Sequence, residues 1–83
     1  MKKVEIYTTQ TCPFCHRAKA LLTKKGAAFH EIDVGANPHL RRTMTEATGR
    51  TSVPQIFIGG VHVGGCDDLY ALDGAGKLGP MLG

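Results

Sequence analysis

The sequence has no tryptophan, only two tyrosines and three phenylalanines, and no long apolar run. Nothing in it approaches the roughly 20 consecutive apolar residues of a transmembrane helix, so no membrane partner is expected. The opening stretch MKKVEIYTT contains two lysines with no apolar segment behind them, which argues against a secretory signal peptide. We therefore expect a cytoplasmic protein, in a reducing compartment where permanent disulfides are uncommon.

The sequence also has no strong excess of positive or negative charge. The net charge of +3 is spread along the 83 residues, and the basic runs are no longer than pairs such as Lys24-Lys25 and Arg41-Arg42. Such pairs are typical of solvated helix faces, so nucleic-acid binding is not expected, whereas a small positive excess favours small anionic partners. The length and the ordinary content of apolar residues predict a single domain over residues 1–83.

What the sequence does contain is an alternation of strand and helix signals. Strand-forming residues at 4–7 and 29–33 predict two strands, and the segment 55–65 predicts a hairpin around its Gly59-Gly60 turn. Cap and stop signals predict helices between Cys12 and Gly26 and between Asn37 and Gly49. The segment CDDLYALDGAGKLGPML predicts a last helix that ends near Gly74. The apolar face expected for the second helix consists of Leu40, Met44 and Ala47.

These elements predict an α/β fold with the order strand, helix, strand, helix, hairpin, helix. The first three elements form a right-handed crossover between two parallel strands. The hairpin then adds an antiparallel pair. The prediction is therefore a mixed four-stranded sheet flanked by three helices.

The most informative motif is TCPFCH at positions 11–16, which places two cysteines three residues apart at a helix start. Because residues i and i+3 lie on one side of a helix, Cys12 and Cys15 are predicted within disulfide range. Unpaired N–H groups and the positive end of the helix dipole favour a thiolate at Cys12. Cys15 lies one turn further in and is expected to be more covered. The motif predicts an attacking thiol at Cys12 and a resolving thiol at Cys15.

Other uses of these cysteines remain open. CPFCH also matches the C-x-x-C-H haem-attachment motif, although that attachment is not expected for a cytosolic protein without an export signal. A zinc site would need further ligands, such as Cys66 and a histidine, at irregular spacing. An iron–sulfur cluster could bridge two chains. The alternative to a redox enzyme is therefore an iron–sulfur or zinc binding module, while Cys66 by itself is most simply a core residue.

Two further segments suggest a binding site beside the cysteines. Proline is tolerated at the start of a strand, as in SVP at 52–54, and a cis Pro54 would turn the backbone of Val53 outward to pair with an extended peptide. GGCDD at 64–68 begins the last helix, where N–H groups can hold a carboxylate while Asp67 holds an ammonium group. A ligand with both groups would be the α-carbon end of an amino acid.

The segments TCPFCHRAKALL, TSVPQIFIGG and GGCDDLYALD, in this order and spacing, resemble the bacterial dithiol glutaredoxins, in particular the glutaredoxin 3 type. The resemblance covers nearly the whole chain. It implies a thioredoxin-like fold and a glutathione-dependent disulfide oxidoreductase that acts, as a monomer, on disulfide-bearing or glutathionylated proteins. Glutathione would be the cosubstrate, and no tightly bound cofactor or metal would be needed.

The resemblance also implies roles for individual residues. Cys12 corresponds to the family's nucleophile and Cys15 to its resolving cysteine. Val53 would pair its backbone with the cysteine of glutathione, Asp67 would hold the γ-glutamyl end, and Arg41 would meet the glycine carboxylate. The complete set implied to bind glutathione is Phe14, Arg41, Val53, Pro54, Cys66 and Asp67.

Three positions depart from the family's pattern. Thr9 stands where the family commonly has a lysine that supports both thiolate formation and carboxylate binding. Phe14 replaces a tyrosine, and Ser52 replaces a threonine. We therefore expect the start of the helix, without a neighbouring lysine, to stabilise the thiolate.

Overall fold

The computed structural model describes residues 1–83 as a sheet of four strands with four helices. The elements are β1 (Val4–Thr8), α1 (Pro13–Lys24), β2 (His30–Asp33), α2 (Pro38–Thr48), β3 (Gln55–Ile58), β4 (Val61–Gly64), α3 (Cys66–Gly74) and α4 (Leu78–Leu82). The strand order is β2-β1-β3-β4, with β1 parallel to β2 and antiparallel to β3, and β3 antiparallel to β4. The predicted mixed four-stranded sheet is therefore confirmed. None of the helices has the length and apolarity that crossing a membrane requires.

The two long helices begin where their cap signals predict. Cys12 caps α1 and Asn37 caps α2, and in both cases a proline follows as the first helical residue. The Oδ1 atom of Asn37 accepts the N–H groups of His39 and Leu40 at 3.1 and 3.2 Å. Polar side chains thus satisfy N–H groups that have no partner within the helix.

The hydrophobic core lies on one face of the sheet. Alternate residues of the central strands β1 and β3 point to this face, because side chains alternate along a strand. They pack against buried residues of α1, α3 and α4. The cluster contains Val4, Ile6, Ala18, Leu21, Leu22, Ala27, Ile56, Ile58, Cys66, Leu69, Leu78 and Leu82.

The C-terminal segment contains one helix more than predicted. Helix α3 ends at Gly74, as expected, and a separate short helix α4 follows it. Leu78 and Leu82 are both buried in the core, and the carbonyl of Leu82 accepts the N–H of Lys2 at 2.8 Å. A turn after α3 is needed to bring these leucines back to the core, which a continuous helix would not do.

The buried side of α2 differs from the predicted one. Met44 is fully buried and Leu40 is half-buried, but Ala47 is exposed, so its assignment to the apolar face was wrong. The covered side follows the i, i+4 spacing to Thr48, whose hydroxyl donates to the carbonyl of Met44 at 2.8 Å. Because this hydroxyl is satisfied within its own helix, threonine can occupy a partly covered position.

Candidate active site

Three segments meet beside the CxxC motif: the start of α1, the loop before β3 and the start of α3. A groove of about 230 Å³ lies between them. Its lining consists of Phe14, Arg50, Ser52, Val53, Pro54, Gln55, Gly65, Cys66, Asp67 and Asp68. The groove therefore brings together every residue implied to bind glutathione except Arg41.

The two cysteines of the motif differ sharply in their surroundings. The sulfur of Cys12 is partly exposed, whereas Cys15 is 0 % exposed, and both thiols are free. Burial, together with a hydrogen bond to Cys12, raises the pKa of the Cys15 thiol to about 12. At neutral pH, Cys15 is thus a protonated thiol held behind a more accessible sulfur.

Two backbone groups contact the sulfur of Cys12. The N–H of Cys15 donates to it at 3.1 Å, and the carbonyl oxygen of Val53 lies 3.7 Å away, where it can accept the S–H. A hydrogen bond from an N–H group is stronger to an anion than to a neutral acceptor. The carbonyl shows how close the loop before β3 lies to the reactive sulfur.

The loop before β3 presents free backbone groups to the groove. The Val53–Pro54 peptide bond is cis. Residues 50–54 make no backbone–backbone hydrogen bond, so the N–H and C=O of Val53 are not used by the sheet or by a turn. An extended peptide could pair with them in the manner of an added strand.

The start of α3 is organised by a carboxylate. One oxygen of Asp68 accepts the N–H of Gly65 at 2.9 Å and the guanidinium of Arg50 at 3.1 Å. The Gly65 N–H, with Arg50 beside it, lowers the pKa of the Asp68 carboxyl. Gly64 has a φ of 122°, and a Cβ on it would overlap the Asp68 carboxylate, so only glycine fits there.

The remaining residues at this helix start have different exposures. Cys66 is 5 % exposed and belongs to the core cluster, and burial raises the pKa of its thiol. Asp67 is exposed and lines the groove. The arrangement can therefore offer one free carboxylate to a cation, while the third cysteine of the chain is covered.

Arg41 lies apart from the groove lining. Its guanidinium donates to the carbonyl of Thr51 at 3.3 Å and so helps to fasten the loop before β3. The residue that does line the groove with a positive charge is Arg50, which no sequence signal had selected. No spacing rule links Arg50 to Asp68, since they are 18 residues apart and meet only in the fold.

An aromatic and cationic stack joins α1 to α3 at the side of the groove. The guanidinium carbon of Arg17 lies 6.0 Å from the centroid of the Phe14 ring and 5.3 Å from that of Tyr70. The hydroxyl of Tyr70 donates to the carbonyl of Arg17 at 3.2 Å. These contacts hold the exposed ring of Phe14 next to Cys12.

The fold does not assemble a metal site from this chain's ligands. No group of three or more His, Cys, Asp or Glu side chains is placed to hold a metal ion. Cys66 and a histidine, which the sequence left open as zinc ligands, do not join the two CxxC cysteines in such a group.

Comparisons with known proteins place the chain among close relatives. Residues 4–63 match the model of the glutaredoxin family. The chain is 58 % identical over 82 residues to glutaredoxin 3 of Escherichia coli K12, covering 99 % of both chains. It is similar to the solution structure of a glutaredoxin from Brucella melitensis, with 62 % identity, a TM-score of 0.88 and coverage of 99 % and 89 %. A buckwheat glutaredoxin–glutathione complex is 32 % identical, with a TM-score of 0.90 and coverage of 98 % and 76 %. The thioredoxin-like fold is thereby confirmed.

Proposed function

The chain belongs to the glutaredoxin family, as a bacterial dithiol member and a thiol–disulfide oxidoreductase, and we propose that glutathione is its cosubstrate. Its substrates are glutathione mixed disulfides and protein disulfides. The observation that carries the proposal is the pairing of a partly exposed Cys12 with a fully buried Cys15, across one turn of helix and beside a groove. The glutathione bound to the buckwheat relative supports the choice of cosubstrate.

With a glutathionylated protein, Cys12 acts alone. Its thiolate attacks the glutathione sulfur, a new disulfide forms between Cys12 and glutathione, and the protein leaves as a thiolate that takes up a proton. The thiolate of a second glutathione then attacks the bound glutathione sulfur. Oxidised glutathione leaves, and Cys12 is again a thiolate. One disulfide is reduced for each glutathione disulfide formed.

With a protein disulfide, Cys15 also takes part. Cys12 first forms a mixed disulfide with the protein, and the Cys15 thiolate then attacks the Cys12 sulfur and releases the reduced protein. Two glutathiones reopen the Cys12–Cys15 bond. Before this step, a hydrogen bond and charge from Cys12 add to burial in raising the pKa of Cys15. Both contributions from Cys12 disappear once its sulfur is in a disulfide, so Cys15 loses its proton more easily when it is needed.

The groove supplies the glutathione contacts. The backbone of Val53 pairs with the cysteine of the tripeptide next to Pro54, and Phe14 flanks it. The γ-glutamyl end lies at the start of α3, against Cys66 and Asp67, where the free carboxylate can bind the ammonium group. Arg41 meets the glycine carboxylate only if its guanidinium turns away from the carbonyl of Thr51.

The proposed cycle also indicates the cellular location, the oligomeric state and the cofactor requirement of the protein. The cycle consumes reduced glutathione, so we place it in the cytoplasm, where thiols are kept reduced. Both thiols lie in one chain, so the protein works as a monomer. It needs no tightly bound cofactor.

Mass spectrometry after exposure to oxidised glutathione tests the proposal. The Cys15→Ser variant should carry one glutathionyl group, on Cys12, and should still reduce glutathione mixed disulfides while losing the reduction of protein disulfides. An adduct on Cys66, or none, would contradict the assignment. The metal-module alternative predicts stoichiometric iron or zinc, which metal analysis of the anaerobically purified native protein would reveal.

A further inference from the structure

A buried amide holds the loop beside the active site. Gln55 is the first residue of β3, directly after Pro54, and its side chain is 1 % exposed. Its Nε2 donates to the carbonyl of Ser52 at 3.0 Å, and the same nitrogen lies 3.4 Å from the Ser52 hydroxyl. Its Oε1 lies 2.8 Å from Nε2 of His62. Every polar atom of this buried side chain thus has a partner.

The histidine is itself held in place by packing. His62 lies opposite Phe57 in the β3–β4 pair, and the two rings are 5.1 Å apart with an interplanar angle of 36°. Tyr7 meets the other side of Phe57 edge-on at 6.0 Å. Because the Oε1 of Gln55 can only accept, Nε2 of His62 must be the donor. The Ser52 carbonyl, which can only accept, fixes which way the Gln55 amide points, and the His62 N–H supports the amide in that orientation.

The loop has few other restraints. Residues 50–54 lack backbone–backbone hydrogen bonds, so side chains alone fasten them. Besides the contact of the Val53 carbonyl with the Cys12 sulfur at 3.7 Å, the bond from the Gln55 amide to the Ser52 carbonyl is the restraint next to Val53. A 180° flip of that amide would put its oxygen against the Ser52 carbonyl and release this end of the loop.

We propose that His62 and Gln55 are positioning residues that hold Ser52 and Val53 ready for glutathione. The His62 N–H supports the Gln55 amide, and the amide in turn holds the carbonyl of Ser52, the residue next to Val53. A preorganised loop binds better, because the cost of ordering it is not subtracted from the binding free energy. The inference rests on the proposed function and adds two residues that do not touch the reacting atoms.

Two substitutions of the histidine separate the hydrogen bond from the packing. His62→Phe keeps a ring on Phe57 but has no donor, whereas His62→Gln places an amide nitrogen near the position of Nε2. Val61→Ala, at an exposed neighbour, is the matched control. Steady-state kinetics on a glutathionylated peptide, with melting temperatures for all variants, provide the readout.

Loss of the hydrogen bond should weaken binding and leave the chemical step alone. For His62→Phe we expect KM to rise about three- to tenfold with kcat within about twofold, the size expected for one hydrogen bond. His62→Gln should return KM to within about twofold of the native value, and Val61→Ala should not change it. An unchanged KM in His62→Phe, or a fall in kcat alone, overturns the proposal.

NMR spectra recorded without substrate test the positioning of the loop separately from the proposed function. In amide NMR spectra, the Ser52 and Val53 signals should shift, and their backbone order parameters should fall, in His62→Phe but not in His62→Gln. Unchanged signals in His62→Phe overturn the inference. A native protein that cannot reduce the glutathionylated peptide overturns the proposed function alone, because the NMR comparison still tests the positioning of the loop.

Discussion

Two helices of this protein begin with a cysteine beside the same groove, yet their sulfurs lie in opposite surroundings. Cys12 caps α1, is partly exposed and receives the N–H of Cys15 at 3.1 Å. Cys66 is the first residue of α3, is 5 % exposed and packs in the core. At that second helix start, the Gly65 N–H goes to the Asp68 carboxylate instead of to sulfur. A helix start therefore favours a reactive thiol only where the sulfur itself receives the N–H groups and reaches solvent.

The two helix starts therefore have different roles in the groove. The start of α1 supplies the sulfur that exchanges disulfides. At the start of α3, the Asp68 carboxylate accepts the N–H of Gly65, while Asp67 lines the groove and is free for a ligand. Chemistry and recognition are thus served by two similar pieces of secondary structure.

The largest expected effect comes from removing each sulfur in turn. Cys12→Ser should lower the reduction of glutathione mixed disulfides at least about 1,000-fold, because the hydroxyl is a poor nucleophile at neutral pH. Cys66→Ser places a hydroxyl in the core and should change KM by only about two- to fivefold, with a lower melting temperature. Turnover measurements on both variants check this. Comparable losses in both would remove the distinction between the two helix starts.

Alkylation at neutral pH sharpens the same comparison. Burial raises the pKa of the Cys15 thiol to about 12, so Cys15 is protonated at pH 7, and the thiolate is the form that reacts. Iodoacetamide should therefore modify Cys12 in the native protein and leave Cys15 and Cys66 intact, as judged by peptide mass spectrometry. In denaturant all three should react, which serves as the control. Equal labelling of Cys12 and Cys15 in the native state would contradict the proposed mechanism.

Substitution of Gly64, two residues before α3, tests how closely the backbone packs against the Asp68 carboxylate. Gly64 and Gly60 both have positive φ angles, but only at Gly64 would a Cβ meet the Asp68 carboxylate, while Gly60 faces open space. Gly64→Ala should lower the free energy of unfolding by about 2–3 kcal/mol and Gly60→Ala by about 1 kcal/mol. Urea unfolding measures both. Equal losses would mean that the crowding is relieved by a small shift of the carboxylate.

The smallest effect should come from the Asp68 carboxylate, which is half-exposed. Its folded pKa is lowered by the Gly65 N–H and by Arg50, so it stabilises the fold above its unfolded pKa of about 3.9 and loses this effect as pH falls through the lower folded value. Asp68→Asn should lower the melting temperature by about 2 °C at pH 7, a difference that vanishes in acid. A difference that persists at low pH would assign the effect to packing instead.

Much of the fold could be predicted because its signals are local. Prolines behind Cys12 and Asn37 mark two helix starts, and Gly59-Gly60 marks the hairpin, in each case through neighbouring residues alone. The division between an outer and an inner cysteine also follows from their spacing in one turn. Local rules were less successful for the buried side of α2, which depends on tertiary packing. Ala47 was predicted on its apolar face and is exposed.

The candidate site was predictable where a motif contains its own chemistry and not where distant residues meet. Three features of the site could be predicted from local sequence: the CxxC motif at a helix start, the proline after Val53 and the acidic residues at the start of α3. Only the tertiary structure decided that Arg50 pairs with Asp68, that His62 orients Gln55 and that Arg41 fastens the loop outside the groove. The physical reason is one of range: caps and turns depend on adjacent residues, whereas burial and long-range hydrogen bonds depend on which surfaces the packed core brings together.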